Sequence, residues 1–245
     1  MKDLESSHIK WEKLATSQVA LWEVKERLRK EQSHISPKGP WEKAMVTISR
    51  LHGAGGDDVA ASLGKLLGWQ VFDREVVDYI AMTARVRERI VATFDERKKS
   101  EIETWMQTLL DHSALGVDKY FQHLVNVLVA IAEHGQAIII GRGGNFVVQK
   151  NRSCRVLITA PLPLRIERIT NKHHILKQDA KKIIEQVDSD RVAYIKRYFH
   201  QDPNNTALYD LILNSEHLDG EKAARIIKNA LEEIIGTSFQ RSEGQ

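Results

Sequence analysis

Cysteine is almost absent. The 245 residues contain one, Cys154, which excludes an internal disulfide and a cysteine-built zinc cluster and fits a reducing compartment. Cys154 enters an apolar run just after a loop, so buried packing is expected of it rather than reactivity. Long hydrophobic runs are missing too. No stretch approaches the roughly 18 consecutive apolar residues of a membrane span, and MKDLESSHIKWEK at the start has no signal-type apolar core. No membrane association is expected, and a cytoplasmic location follows by default. Nor is there an excess of one charge: the net value of +3 is too small to argue for nucleic acid, whose partners gather base on one face. With 42% hydrophobic and 28% charged residues, the chain reads as a soluble globular protein, one large domain or one domain with an inserted subdomain.

What is present is concentrated in MVTISRLHGAGGDDVAASLGKLLG, Met45 to Gly68. A β-prone run breaks into a glycine-rich turn and becomes an apolar-periodic helix. Phosphate-binding loops are built this way. Gly53, Gly55 and Gly56 let the backbone turn sharply and leave N–H groups free for an anion, and the helix adds its positive N-terminal end. The full pattern GxxxxGK[ST] would put Lys and a hydroxyl at the helix start. This chain has Gly56 at the Lys position, followed by Asp57 and Asp58. Two carboxylates suit the helix dipole but repel phosphate unless Mg²⁺ lies between. The competing expectation is an ordinary strand-to-helix turn.

Around this core the elements alternate. Ile9 to Glu31 is expected to be a charged helix with Trp11, Leu14, Gln18, Val19, Trp22 and Leu28 on one face, so it should dock on its own domain or on a second copy. Ser36 to Pro40 reads as a linker. Trp69 to Phe72 is a short strand ending in Asp73 and Arg74, which either face the glycine loop or merely start the next helix, with Asp73 as its N-cap. Residues 85 to 134 read as a helical insertion. Ala137 to Ile140, AIII, is a strand buried on both faces, and it runs into GRGGN, where Arg142 has the fork to grip a phosphate. Arg155 to Ala160 and Tyr209 to Ser215 are further strands. Between them Pro163 opens a helix carrying Arg165 and Arg168, and two more helices are expected at Ala180–Val187 and Asp190–Phe199. Gly220 to Ile235 is the last helix, with a disordered tail after Gly236. The expected fold is α/β, three layers with a five-stranded parallel sheet.

The order of these elements and the motifs TISRLHGAGGDDVAASLGKLLGW, FDRE, IIIGRGGNFV, VLITAPLPLRIERI, VDSDRVAYIKRYF and YDLILNS resemble the cytidylate kinase-like family, from Met45 to about Ile235. The resemblance implies a P-loop NTPase-like fold in residues 41–240, with a helical substrate-binding insertion at about 85–134 and a lid at about 170–200. Residues 1–40, a helical extension and linker, lie outside it. The resemblance implies ATP and Mg²⁺ as cofactors, nucleotides as partners, and transfer of a phosphoryl group to a nucleoside monophosphate such as CMP or dCMP, or to a related small phosphate acceptor. Gly53, Ala54, Gly55, Gly56, Asp57 and Asp58 would wrap the ATP phosphates. Asp73 and Arg74 would stand at the monophosphate pocket, and Arg142 would hold the acceptor phosphate. Arg165, Arg168, Asp190, Arg191 and Arg197 resemble the groups that close over the transferring phosphoryl. Arg50 or the lid arginines would replace the missing Lys, and Asp58 would take the hydroxyl's place at the metal. Authentic members carry GKG[ST] in place of GGDD, an acid in place of Gly143, an aspartate–hydroxyl pair in place of Asp73–Arg74, and an Arg in place of Tyr79. The alternative is a regulatory protein that binds nucleotide without catalysis, with the Trp-bearing N-terminal helix serving a partner or a homodimer.

Overall fold

The computed structural model describes residues 11–24, 40–94, 96–111 and 118–243. Its first element is a helix over 11–24, α1, and the remainder of the expected Ile9–Glu31 helix lies outside the described residues. The apolar face of α1 is spent within the chain. Ala15, Val19 and Trp22 are buried in the main core, and the Trp22 ring stacks at 4.1 Å on His134 and at 5.8 Å on Phe72.

The sheet begins with β1 (Met45–Arg50), which leads through the glycine turn into α2 (Gly56–Leu67) and β2 (Gln70–Phe72). Four helices follow: α3 (Arg74–Met82), α4 (Ala84–Ala92), α5 (Glu96–Asp111) and α6 (Lys119–His134). The expected insertion therefore holds three of them, and Gly116 between the last two lies outside the described residues. Next come β3 (Ala137–Ile140), the short α7 (Gly144–Val147), β4 (Ser153–Thr159), α8 (Leu162–His173), α9 (Lys177–Phe199), β5 (Leu211–Asn214) and α10 (Gly220–Glu243). All strand pairs are parallel, in the order β2-β3-β1-β4-β5.

Both faces of the sheet are covered, which is why AIII carries no polar residue. Met45, Phe72 and Ile139 pack toward α3, α6 and α1. Val46, Ile48, Ile138 and Ile140 pack toward α2 and α10. Strand β1 lies between β3 and β4, so the order reverses beside it and opens a crevice beyond the carboxyl ends. Arg50, Gly141 and Ala160 leave the sheet at that crevice.

Two expectations change. Ala180–Val187 and Asp190–Phe199 are one continuous 23-residue helix, α9. The Asp-Ser-Asp stretch at 188–190 favours a break in isolation, but Asp188 finds partners in the His52 amide and in Arg165 of α8, and the helix runs through. Helix α10 continues to Glu243, past the end expected at Ile235 and through the start of the tail expected to be disordered.

The edge strand β5 is pinned by an ion pair. Arg155 gives Asp210 two side-chain bonds, at 2.9 and 2.6 Å, and its backbone amide a third at 2.8 Å. Burial works against the Asp210 charge, yet these donors outweigh it and hold the carboxyl below its ordinary 3.8. A depressed value stabilises the fold fully above pH 3.8, and that contribution is lost as pH falls through the folded value. Urea titrations at falling pH should therefore show Asp210→Asn less stable than wild type near neutrality, with the gap narrowing below pH 3.8. A gap constant with pH would mean that the carboxylate charge plays no part.

Candidate active site

The site starts where β1 ends. Leu51 N–H bonds Ile158 O at 3.0 Å and Ala54 N–H bonds Leu51 O at 3.1 Å, folding residues 51–54 back on the sheet. Gly53 and Gly55 are left-handed, and a side chain on Gly53 would begin 2.9 Å from the Arg165 carbonyl oxygen. Gly55 caps α2 without any side-chain acceptor, so the first amides of α2 face the crevice with the positive end of the helix.

Arg50 and Gly56 fit each other. A Cβ on Gly56 would lie 2.7 Å from Arg50 Cβ and 2.8 Å from Arg50 Cγ. The Arg50 stem thus fills the space a Lys side chain would leave by, and its guanidinium lies 3.2 Å from Asp57 and beside Gly141.

From the far side of the crevice, α8 and α9 bring more charge. Arg165 Nη1 donates to Asp188 at 2.6 Å and to the His52 carbonyl at 3.2 Å, and Asp188 accepts the His52 amide at 2.8 Å. Arg191 donates to the Arg50 carbonyl at 2.8 Å. Arg168 braces the loop from below: it bonds the Ser215 hydroxyl and carbonyl, both at 2.9 Å, and that hydroxyl donates to Ala54 O at 2.7 Å. Three guanidiniums, Arg50, Arg165 and Arg191, therefore face two carboxylates. Burial, and after it the charge of Arg50, lower the Arg191 pKa to about 10. Burial and Arg191 likewise lower that of His52. The Nε atoms of Arg50 and Arg165 are buried without partners. An anion would relieve this crowding.

The second cluster stands one residue beyond Gly141. Gly141, Arg142 and Gly143 have φ of 72°, 52° and 71°, so Arg142 is held in a conformation that costs a non-glycine residue about 1–2 kcal/mol. Its guanidinium pairs with Asp78 and lies 5.4 Å from the Tyr194 ring centre. Asp78 also accepts the Tyr120 hydroxyl at 2.7 Å and lies 3.7 Å from Arg74. Burial, reinforced by the bond to Asp78, pushes the Tyr120 phenol up, so it stays a donor.

Not every expected residue joins. Asp190 is exposed and takes Gln186 at 2.8 Å, and Arg197 lies 5.2 Å over its neighbour Tyr198. Asp73 caps α3 by accepting Val76 N–H at 2.9 Å. Arg74 joins the second cluster only at its edge, 65% exposed beside Asp78, and Asp58 is exposed in the first turn of α2. Asp78, Asp188, Tyr120, Tyr194 and Ser215 were not among the expected site residues. Among the described residues no group of three or more His, Cys, Asp or Glu could hold a metal ion.

Residues 45–217 match the model of the cytidylate kinase-like family. The chain belongs to that family. Its relatives include the cytidylate kinase of Pyrococcus horikoshii, 23% identical over 207 residues, which cover 83% of this chain and 97% of that protein. The cytidylate kinase of Methanocaldococcus jannaschii is 30% identical over 110 residues, 43% of this chain and 61% of the relative. A crystal structure of an uncharacterised protein from Eubacterium ventriosum shares the fold, with a TM-score of 0.63 at 16% identity over 78% of this chain and 99% of that one. This cytidylate kinase-like chain has, among its described residues, no helix long and apolar enough to cross a membrane.

Proposed function

We propose that the chain transfers a phosphoryl group from ATP to a small phosphate acceptor, a nucleoside monophosphate with CMP or dCMP as the first candidate. The observation that carries this is the fit of Arg50 over Gly56: the cation missing from the GGDD loop is supplied from the first position of the loop, and Gly56 makes room for its stem. The orphaned Nε atoms of Arg50 and Arg165 and the outward amides of α2 suit the ATP phosphates. Mg²⁺ usually binds through one or two carboxylates and substrate phosphates, a donor set that Asp58 can complete.

In this reading the amides of Gly53 and of residues 55–58 cradle the β-phosphate, that of Ala54 being bonded to Leu51 O, while Arg50, Arg165 and Arg191 receive charge as it spreads over the transferring oxygens. Arg168 keeps the loop in shape. Arg142 orients the acceptor phosphate, whose oxygen forms the new P–O bond as the bond to the ADP oxygen breaks, and Asp73 and Arg74 stand at the acceptor's entry. Bound Mg²⁺ supplies charge neutralisation between the phosphates. Asp190 and Arg197 have no part in this arrangement. The second reading, a nucleotide-binding regulator, draws on Asp57 and Asp78, which already neutralise Arg50 and Arg142.

A coupled assay with ATP, Mg²⁺ and a panel of monophosphates decides between them. ADP release that requires one acceptor is the expected result. Tight ATP binding without release for any acceptor would favour the regulator.

A further inference from the structure

The phosphate loop is gripped by a carboxylate that belongs to the lid. Asp188 Oδ1 accepts the His52 amide at 2.8 Å, and its Oδ2 takes Arg165 Nη1 at 2.6 Å. That same Nη1 reaches the His52 carbonyl at 3.2 Å, so both polar backbone groups of one loop residue are clamped. Arg191, three residues further along α9, holds the Arg50 carbonyl at 2.8 Å and lies 3.8 Å from Asp188. A carboxylate beside an anion site is unfavourable on charge alone, since it repels phosphate. Its position is explained if it fixes the donors, because groups already oriented pay no reorganisation when the anion arrives.

We propose that Asp188 is a positioning residue: it holds the turn at His52 and the Arg165 and Arg191 guanidiniums in their anion-receiving arrangement before nucleotide binds. The proposal rests on the reading that this loop takes nucleotide phosphates. The continuity of α9 gives it reach, since three residues past Arg191 the same helix carries Tyr194 against Arg142.

Calorimetric titration of the full chain with Mg-ATP, and separately with inorganic tripolyphosphate, tests it in wild type, Asp188→Asn and Asp188→Glu, with a melting temperature for each. Removing a negative charge should tighten anion binding if charge alone matters. Loss of positioning instead weakens both ligands about tenfold in the Asn variant, the scale of one charge-assisted hydrogen bond, with partial recovery in the Glu variant. Equal or tighter binding by a folded Asn variant overturns the proposal. Wild type that binds neither ligand overturns the nucleotide reading instead. Hydrogen exchange then examines Asp188 without any variant or ligand: the His52 amide should be protected in the free protein, and exchange at the rate of an open loop would overturn the proposal even if the Asn variant failed to fold.

Discussion

Replacing Arg50 with alanine is expected to lower kcat for ATP-dependent transfer about a thousandfold, the scale of a cation that stabilises the transferring phosphoryl group. The melting temperature should change little by comparison, because the lost partner Asp57 is 66% exposed. Installing the customary lysine does not help by itself. In Gly56→Lys the new Cβ would start 2.7 Å from Arg50 Cβ, so the single variant should lose stability as well as activity. The pair Arg50→Gly with Gly56→Lys removes that clash and returns a cation to the loop. It should recover far more activity than the two single changes imply, a coupling of at least about 1 kcal/mol. Steady-state kinetics of wild type, Arg50→Gly, Gly56→Lys and the pair measures this, and near-normal turnover by Arg50→Ala would remove Arg50 from the site.

The largest loss of stability is expected at the far end of the sheet, from Gly135→Ala. Gly135 ends α6 with φ 68° and ψ −174°, a region open essentially to glycine alone. An added Cβ would lie 2.2 Å from the Glu42 carbonyl oxygen and 2.7 Å from Lys43 Cα, both backbone atoms. Neither can step aside without shifting the entry to β1. Conformational strain and overpacking together should cost about 4 kcal/mol. For a chain of this size that lowers the melting temperature by roughly 10 °C, which calorimetry would register. A drop of a degree or two would mean that the 42–43 segment yields easily.

Most of the fold was legible in the sequence because its signals are local. The run Ala137–Ile140 announces a strand covered on both faces, and the glycines at 53, 55, 141 and 143 mark chain turns that the structure places at one rim. What escaped depends on distance along the chain. The bond from the His52 amide to Asp188 spans 136 residues, and the pair of Arg142 with Asp78 spans 64. No periodicity reports such contacts. Breaking α9 at 188–190 also hid the fact that Asp188 and Arg191 share one helical face, and the expected site took Asp190, which points to solvent, in place of Asp188. The Asp73 carboxylate shows the converse: a charge at a strand end read locally as a helix cap and, beside the other rim loops, as a ligand contact, and the structure uses it as a cap.

A crystal structure of the full chain grown with ADP and Mg²⁺ tests the central claim most directly. The expected result is a β-phosphate against the first amides of α2, with its oxygens contacted by Arg50 in place of a lysine and by Arg191 from α9. Nucleotide bound away from Gly55, or bound there with Arg50 still turned to Asp57, would contradict it.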